Sequence, residues 1–305
     1  MIDIHTHLFF PQYDDDRDEV LKRAFDAGIK AMISVSTSPE DHKKALEISQ
    51  LDNRIYASLG LHPHHCNDLM QNHLQNVTSI NLTSEKLNTI LQKKIDEDVA
   101  EIKKLIESND TVIAVGECGL DYYTHTDEVV TEAHKKMQKY MFAQQINLAQ
   151  EHDLPLILHC RPSAGTQDAY EDLYEILQHE SRHVKCILHC YMGDTEITKK
   201  LLSLSGVYFS FTGNITYSVK KLVEGTKDDI RETVKRVPLE RMLMETDCPF
   251  LAPMPYRGKR NEPSFVMEVQ KQILQLHATS EPLLYATMSK TIDDIFSLKI
   301  ECGIL

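Results

Sequence analysis

Six side chains of the kinds that bind metal ions stand at the ends of apolar runs. They are His5 and His7 in MIDIHTH, Glu117 in TVIAVGEC, His159 in LPLILHC, His189 in VKCILHC and Asp247 in RMLMETDC. His5 and His7 are two apart, so on a strand both imidazoles point the same way and can close on one ion. Glu117 carries two oxygens and can bridge two ions at the ~3.5–4 Å spacing of two-metal sites. His159 and His189 hold equivalent places in successive runs, which points to one shared site. Asp247 can ligate an ion and also accept a proton from bound water. Imidazole and carboxylate together suit Zn²⁺, Mn²⁺, Fe²⁺ or Mg²⁺ and do not select among them. The chemistry these residues indicate is metal-dependent hydrolysis.

Cys118, Cys160, Cys190 and Cys248 each directly follow one of these candidates. Neighbours on a strand point to opposite faces, so the thiols are expected to pack under helices, away from metal. His62 and His64 in GLHPHH, Arg161, and Arg257, Lys259 and Arg260 in PYRGKRNEP lie just beyond strand ends. They are candidate substrate contacts, since guanidinium and ammonium groups hold phosphate.

A scaffold must bring those strand ends together. Strand-like runs at 1–5, 31–37, 55–60, 111–117, 154–159, 184–189, 206–212 and 241–246 alternate with amphipathic stretches at 16–27, 39–50, 95–108, 128–152, 166–180, 195–204, 227–236 and 264–277. Eight such units predict a single-domain (β/α)8 TIM barrel over residues 1–305, where chemistry collects at the C-terminal ends of the strands. A doubly wound open sheet would need a Gly-rich phosphate loop after an early strand, and the sequence has none. Residues 283–298 read as an extra C-terminal helix, and the polar segment 67–94 as a partly helical insertion in the third β–α loop, on the active-site face.

The composition, 42% apolar and 26% charged over 305 residues, is that of a globular protein. No run approaches the ~20 apolar residues that span a bilayer, so no membrane is expected. The chain starts directly on MIDIHTH without a basic, apolar leader, and seven cysteines are an odd number. Both features point to a reducing compartment, the cytoplasm or the nucleus. Sequons at Asn76, Asn81 and Asn214 are then coincidental, and the Cys302-to-Leu305 prenylation box lacks a basic second signal. A net charge of −13 argues against a broadly basic nucleic-acid surface but not against a substrate held locally by metal and a few cations.

The assembled segments resemble the TatD family of metal-dependent deoxyribonucleases. The resemblance runs through HTHL at 5–8, GLHPH at 60–64, GECGLDYY at 116–123, LPLILHCR at 154–161, ILHCYMGD at 187–194 and METDCPFLAPMPYRGKRNEP at 244–263. It implies an amidohydrolase-like barrel with two divalent ions, usually Mg²⁺, with Mn²⁺ or Zn²⁺ as alternatives. His5, His7, Glu117 and Asp247 would hold the first, and Glu117, His159 and His189 the second, with Asp247 and Glu117 as the catalytic carboxylates. The implied activity is DNA hydrolysis, as a 3′-5′ exonuclease on single strands, with no obligate protein partner. The 67–94 segment departs from the family pattern. The rival within hydrolases is a metal-dependent esterase or amidase, such as an aminoacyl-tRNA deacylase; a rival of another class is a metal-stabilised binding protein.

Overall fold

Eight short runs rich in Val, Ile, Leu and Met become strands because both of their faces are buried. In the computed structural model, which describes residues 1–76, 84–124, 129–180, 183–218 and 229–299, they are β1 (Ile2–Thr6), β2 (Ala31–Val35), β3 (Ile55–Leu59), β4 (Val112–Asp121), β5 (Leu156–Arg161), β6 (Cys186–Leu188), β7 (Val207–Phe211) and β8 (Met242–Met244). They form one parallel sheet in chain order. The sheet curls until residues beyond β8 meet β1: Asp247 N donates to His5 O (3.0 Å), and His7 N donates to Cys248 O (2.9 Å). Asp3 stitches this seam, its carboxyl accepting from Thr246 N (2.9 Å) and Thr246 Oγ1 (2.6 Å). The expected barrel is the fold.

Helices cover the outside: α1 (Arg17–Asp26), α2 (Pro39–Ser49), α3 (Pro63–Asn76), α4 (Ser84–Ser108), α5 (Glu132–His152), α6 (Asp168–Glu180), α7 (Thr195–Leu202), α8 (Ile230–Arg236), α9 (Val266–His277) and α10 (Glu281–Phe296). Their starts are written locally. Pro39 opens α2, Thr131 and His134 form a capping box on α5, and Asp194 accepts from Glu196 N and Ile197 N at the head of α7.

Two apolar bodies result. Leu156, Leu158, Cys186, Leu188, Met242 and Met244 face outward into the layer beneath the helices. Ile2, Ile4, Ile33, Ala114, Ile157, Ile187 and Leu243 fill the lumen, and Ile292, Ile295 and Phe296 of α10 close its lower end. The predicted extra helix is therefore the barrel's floor. It is tied down by Tyr208 Oη donating to Asp294 Oδ2 (2.8 Å) and Lys185 Nζ donating to Asp294 O.

The 67–94 segment, expected as a partly helical insertion after β3, is helical where it is described: α3 runs to Asn76 and α4 starts at Ser84. The polar composition belongs to an amphipathic α4, with Leu91, Ile95 and Ile102 buried and much of the rest in water. Residues 77–83 and the tail from 300, including Cys302, lie outside the described residues. Among the described residues no helix is long and apolar enough to cross a membrane.

Candidate metal centre

Strand parity aims the candidate ligands in two ways. His159 on β5 and His189 just past β6 inherit the lumen face, two residues above Ile157 and Ile187, whereas Asp247 comes from the turn past β8. On β1 and β4 the lumen residues Ile4 and Ala114 have the wrong parity for His5 and Glu117. Register shifts between Asp3 and Thr6, and between Val115 and Cys118, turn these strands so that both ligands face in. β4 can also press against β5 because Gly119 has a φ of 130° and a Cβ there would run into His159 O. Asp247 itself has a φ of 55°, in the left-handed region, so the turn past β8 holds backbone strain at the ligand.

All six candidate ligands meet. His5 Nε2 and His7 Nε2 approach to 3.2 Å. Glu117 Oε2 lies 3.4 Å from His5 Nε2, and Asp247 Oδ1 lies 3.4 Å from His7 Nε2. On its other side, Glu117 Oε1 is 2.8 Å from His189 Nε2, 2.9 Å from His159 Nδ1 and 3.6 Å from His62 Nε2. Donors around a single ion bound at ~2.1 Å stand roughly 3.0–3.4 Å apart, so this spacing fits a cation. His7 Nδ1 contacts Val35 O at 2.8 Å; a proton there leaves the Nε2 lone pair facing the cluster. Among the described residues, three donor groups are close enough to hold an ion: His5, Glu117 and His189; His5, His7 and Asp247; and His62, Asp121 and His159.

The electrostatics agree with a site built for positive charge. Burial alone would raise Glu117, but His189 and His62 beside it and hydrogen bonds from His159 and His189 hold it well below the usual carboxylate range. Burial likewise opposes ionisation of Asp247 and Asp121, and their imidazole neighbours bring both below the usual range. Burial disfavours charge on His159, yet Asp121 and Glu117 lift it to about 9. Against the same burial, Glu117 raises His189 strongly and Asp247 raises His7. A bound cation would take the place of those protons.

The family model described as "TatD related DNase" matches residues 2–297. The chain belongs to that family. YabD of Bacillus subtilis (strain 168), described as an uncharacterized metal-dependent hydrolase, is 36% identical over 277 residues, 90% of this chain and 91% of its own. The Erwinia amylovora protein named 3'-5' ssDNA/RNA exonuclease TatD is 30% identical over 304 residues, 98% of this chain and 100% of its own. In fold, the crystal structure of YJJV, a TatD homolog from Escherichia coli K12, matches with a TM-score of 0.75 at 23% identity over 98% of each chain. The protein is a metal-dependent hydrolase of the TatD family.

The TatD-family cleft over these ligands measures about 620 Å³ and separates the expected substrate contacts. His62, His64 and Arg161 line it. Arg257, Lys259 and Arg260 do not: Arg257 lies 4.0 Å over the Tyr217 ring and Lys259 6.0 Å from that of Tyr256. Arg260 grips both oxygens of Asp16 at 2.7 Å, so its charge is already matched.

Three buried carboxyls were missed. Asp121 Oδ2 stands 3.1 Å from both His159 Nε2 and His64 Nε2. Its spacing of four from Glu117 on the same strand was the available signal. Glu245 Oε1 accepts from Cys190 N (2.6 Å) and lies 3.4 Å from His189 Nδ1. Asp3, the third, holds the seam. No thiol joins a donor group among the described residues, as expected. The strand-alternation reason holds for Cys118 and Cys160; Cys190 and Cys248 follow their strands' ends, and Cys190 lies beside Thr212 (3.7 Å).

Proposed function

We propose that this TatD-family hydrolase is a deoxyribonuclease that cuts phosphodiester bonds of single-stranded DNA from the 3′ end. The observation that carries this is Glu117, whose two oxygens face two different sets of imidazoles, as a carboxylate between two ions must. Two divalent cations, Mg²⁺ by expectation, would be held by His5, His7, Glu117 and Asp247 on one side and by Glu117, His159 and His189 on the other. When bound, they activate water and neutralise charge developing on phosphorus.

The chain's own groups do the rest. Asp247, held ionised, orients the attacking water and accepts its proton at a carboxylate oxygen. Asp121 fixes the ring of His159, as carboxylates behind metal-binding histidines do. Arg161, on the cleft wall, holds a phosphate oxygen. All six proposed ligands belong to this chain. The choice of phosphodiester over carbonyl substrates draws support from the family description and the name of the Erwinia relative. Free thiols at all six described cysteines support a reducing compartment.

The test is cleavage of a 5′-labelled single-stranded oligonucleotide by metal-stripped protein, with Mg²⁺, Mn²⁺ or Zn²⁺ returned separately. The expected product is a ladder shortening from the 3′ end that disappears in Glu117→Ala. Absence of cleavage with every ion, despite measured metal binding, would redirect the assignment to esters and amides.

A further inference from the structure

Phe250 stands at the mouth of the cleft with 48% of its surface exposed, yet its backbone is firmly held. Its N–H donates to Asp247 O (2.9 Å), and its carbonyl accepts from Asn261 Nδ2 (2.6 Å). Asn261 is itself fully buried and also donates to Thr246 O (2.9 Å). The Phe250 ring meets Phe10 at 6.0 Å, nearly perpendicular at 79°, and His7 at 6.3 Å. Phe10 in turn stacks on His7 at 5.0 Å and 14°. A proposed ligand imidazole and two phenyl rings thus form one continuous aromatic wall, and its outermost ring is open to water.

The rest of the cleft lining is imidazole, carboxylate, hydroxyl and Arg161. A ligand satisfying both parts needs an anionic group at the metal ligands and a flat apolar group within one nucleotide's reach. A rigid, exposed aromatic beside an ion-binding cluster is also the pattern by which proteins hold unpaired bases, since every base offers a π face. We infer that Phe250, backed by Phe10, is a stacking platform for an unpaired nucleobase next to the bond that is cut. This rests on the phosphodiester reading above and adds a reason for single-strand preference: a base inside a duplex cannot offer its face.

The experiment compares Phe250→Ala with the wild type on two single-stranded oligonucleotides. One is ordinary; in the other the two 3′-terminal nucleotides are tetrahydrofuran abasic residues, with hydrogen in place of the base. On the ordinary strand the substitution should raise KM roughly 5- to 150-fold with kcat within about threefold, the range that loss of one stacked base gives. On the baseless end it should change KM less than about twofold, and Phe250→Tyr should restore the ordinary KM. An equal change on both strands would assign Phe250 a purely structural role, and no change on either would remove it from the substrate path; both overturn the platform alone. Failure of the wild type to cut either strand with any cation would instead sink the phosphodiester reading, and the platform with it.

Discussion

The two ends of the barrel lumen are made by the same strands and obey opposite rules. The lower end is Ile2, Ile4, Ile33, Ile157, Ile187 and Leu243 sealed by α10, an apolar plug with its side chains out of water. A few residues further along, the upper end packs His5, His7, Glu117, Asp121, His189 and Glu245 at 0–7% exposure. There His5 Nδ1 and Glu245 Oε2 are buried without a hydrogen-bond partner. Each such atom costs about 1–3 kcal/mol, whereas each fully buried aliphatic chain contributes about 1.5–3 kcal/mol. The floor supplies stability that the rim, shaped for cations, gives away. Substitutions at the two ends should therefore have separable effects.

The largest effect is expected at the rim. The double variant His159→Ala, His189→Ala removes both imidazoles on one side of Glu117, and kcat should fall at least ~10³-fold, equivalent to about 4 kcal/mol of transition-state stabilisation. Its far-UV circular dichroism should stay native. An unchanged rate would dissolve the two-ion arrangement.

At the floor the pattern reverses. Ile157→Ala, two residues below His159 on the same strand, should cost about 2–5 kcal/mol in urea unfolding through the cavity it leaves. At a temperature where the variant stays folded, its Mn²⁺ affinity should match the wild type within about threefold. Loss of metal binding by a folded Ile157→Ala protein would break the comparison, because it would couple the two ends.

A smaller effect lies just behind the proposed ligands. Asp121→Asn keeps a polar group beside His159 but removes the charge, and metal affinity should fall roughly 10- to 100-fold in equilibrium dialysis. An unchanged affinity would make Asp121 a bystander to the ions.

Much of this contrast was legible in the sequence. Strands buried on both faces must be apolar runs, so β3 at Ile55–Leu59 and β5 at Leu156–Arg161 fall within a residue or two of their predicted ends. The six candidate ligands were legible for the same reason: a His or carboxylate closing such a run has few places to go except the barrel mouth. Relations set by tertiary structure were harder to see. Nothing local says that β1 and β4 change parity beneath His5 and Glu117, because that irregularity comes from pairing with the next strand. The spacing of Asp121 from Glu117 gave its face, but its imidazole partners show only once β5 lies alongside. Arg260 read as a free cation because Asp16 is far away in sequence.

The smallest effect concerns a buried histidine outside the lumen. His42 on α2 is 2% exposed, with Nδ1 2.9 Å from Ser36 Oγ and Nε2 unpartnered. Burial, the dominant influence, pushes its imidazole down to about 4 from an ordinary 6.5. The folded chain keeps it neutral while the unfolded chain protonates it, so between those values the unfolded state binds the extra proton. Its contribution to stability is complete above pH 6.5 and is lost as pH falls through about 4. His159 at the rim, raised to about 9, runs the other way: its contribution is complete below pH 6.5 and is lost as pH rises through about 9. A raw pH profile would mix the two, so the informative quantity is the difference between wild type and His42→Leu in metal-free buffer. From about pH 7.5 to about pH 5.5 that difference should move by about 1 kcal/mol toward the variant. A difference that stays constant would mean that His42 titrates as it does in the unfolded chain, and that burial in the helix layer, unlike burial at the rim, leaves an imidazole unperturbed.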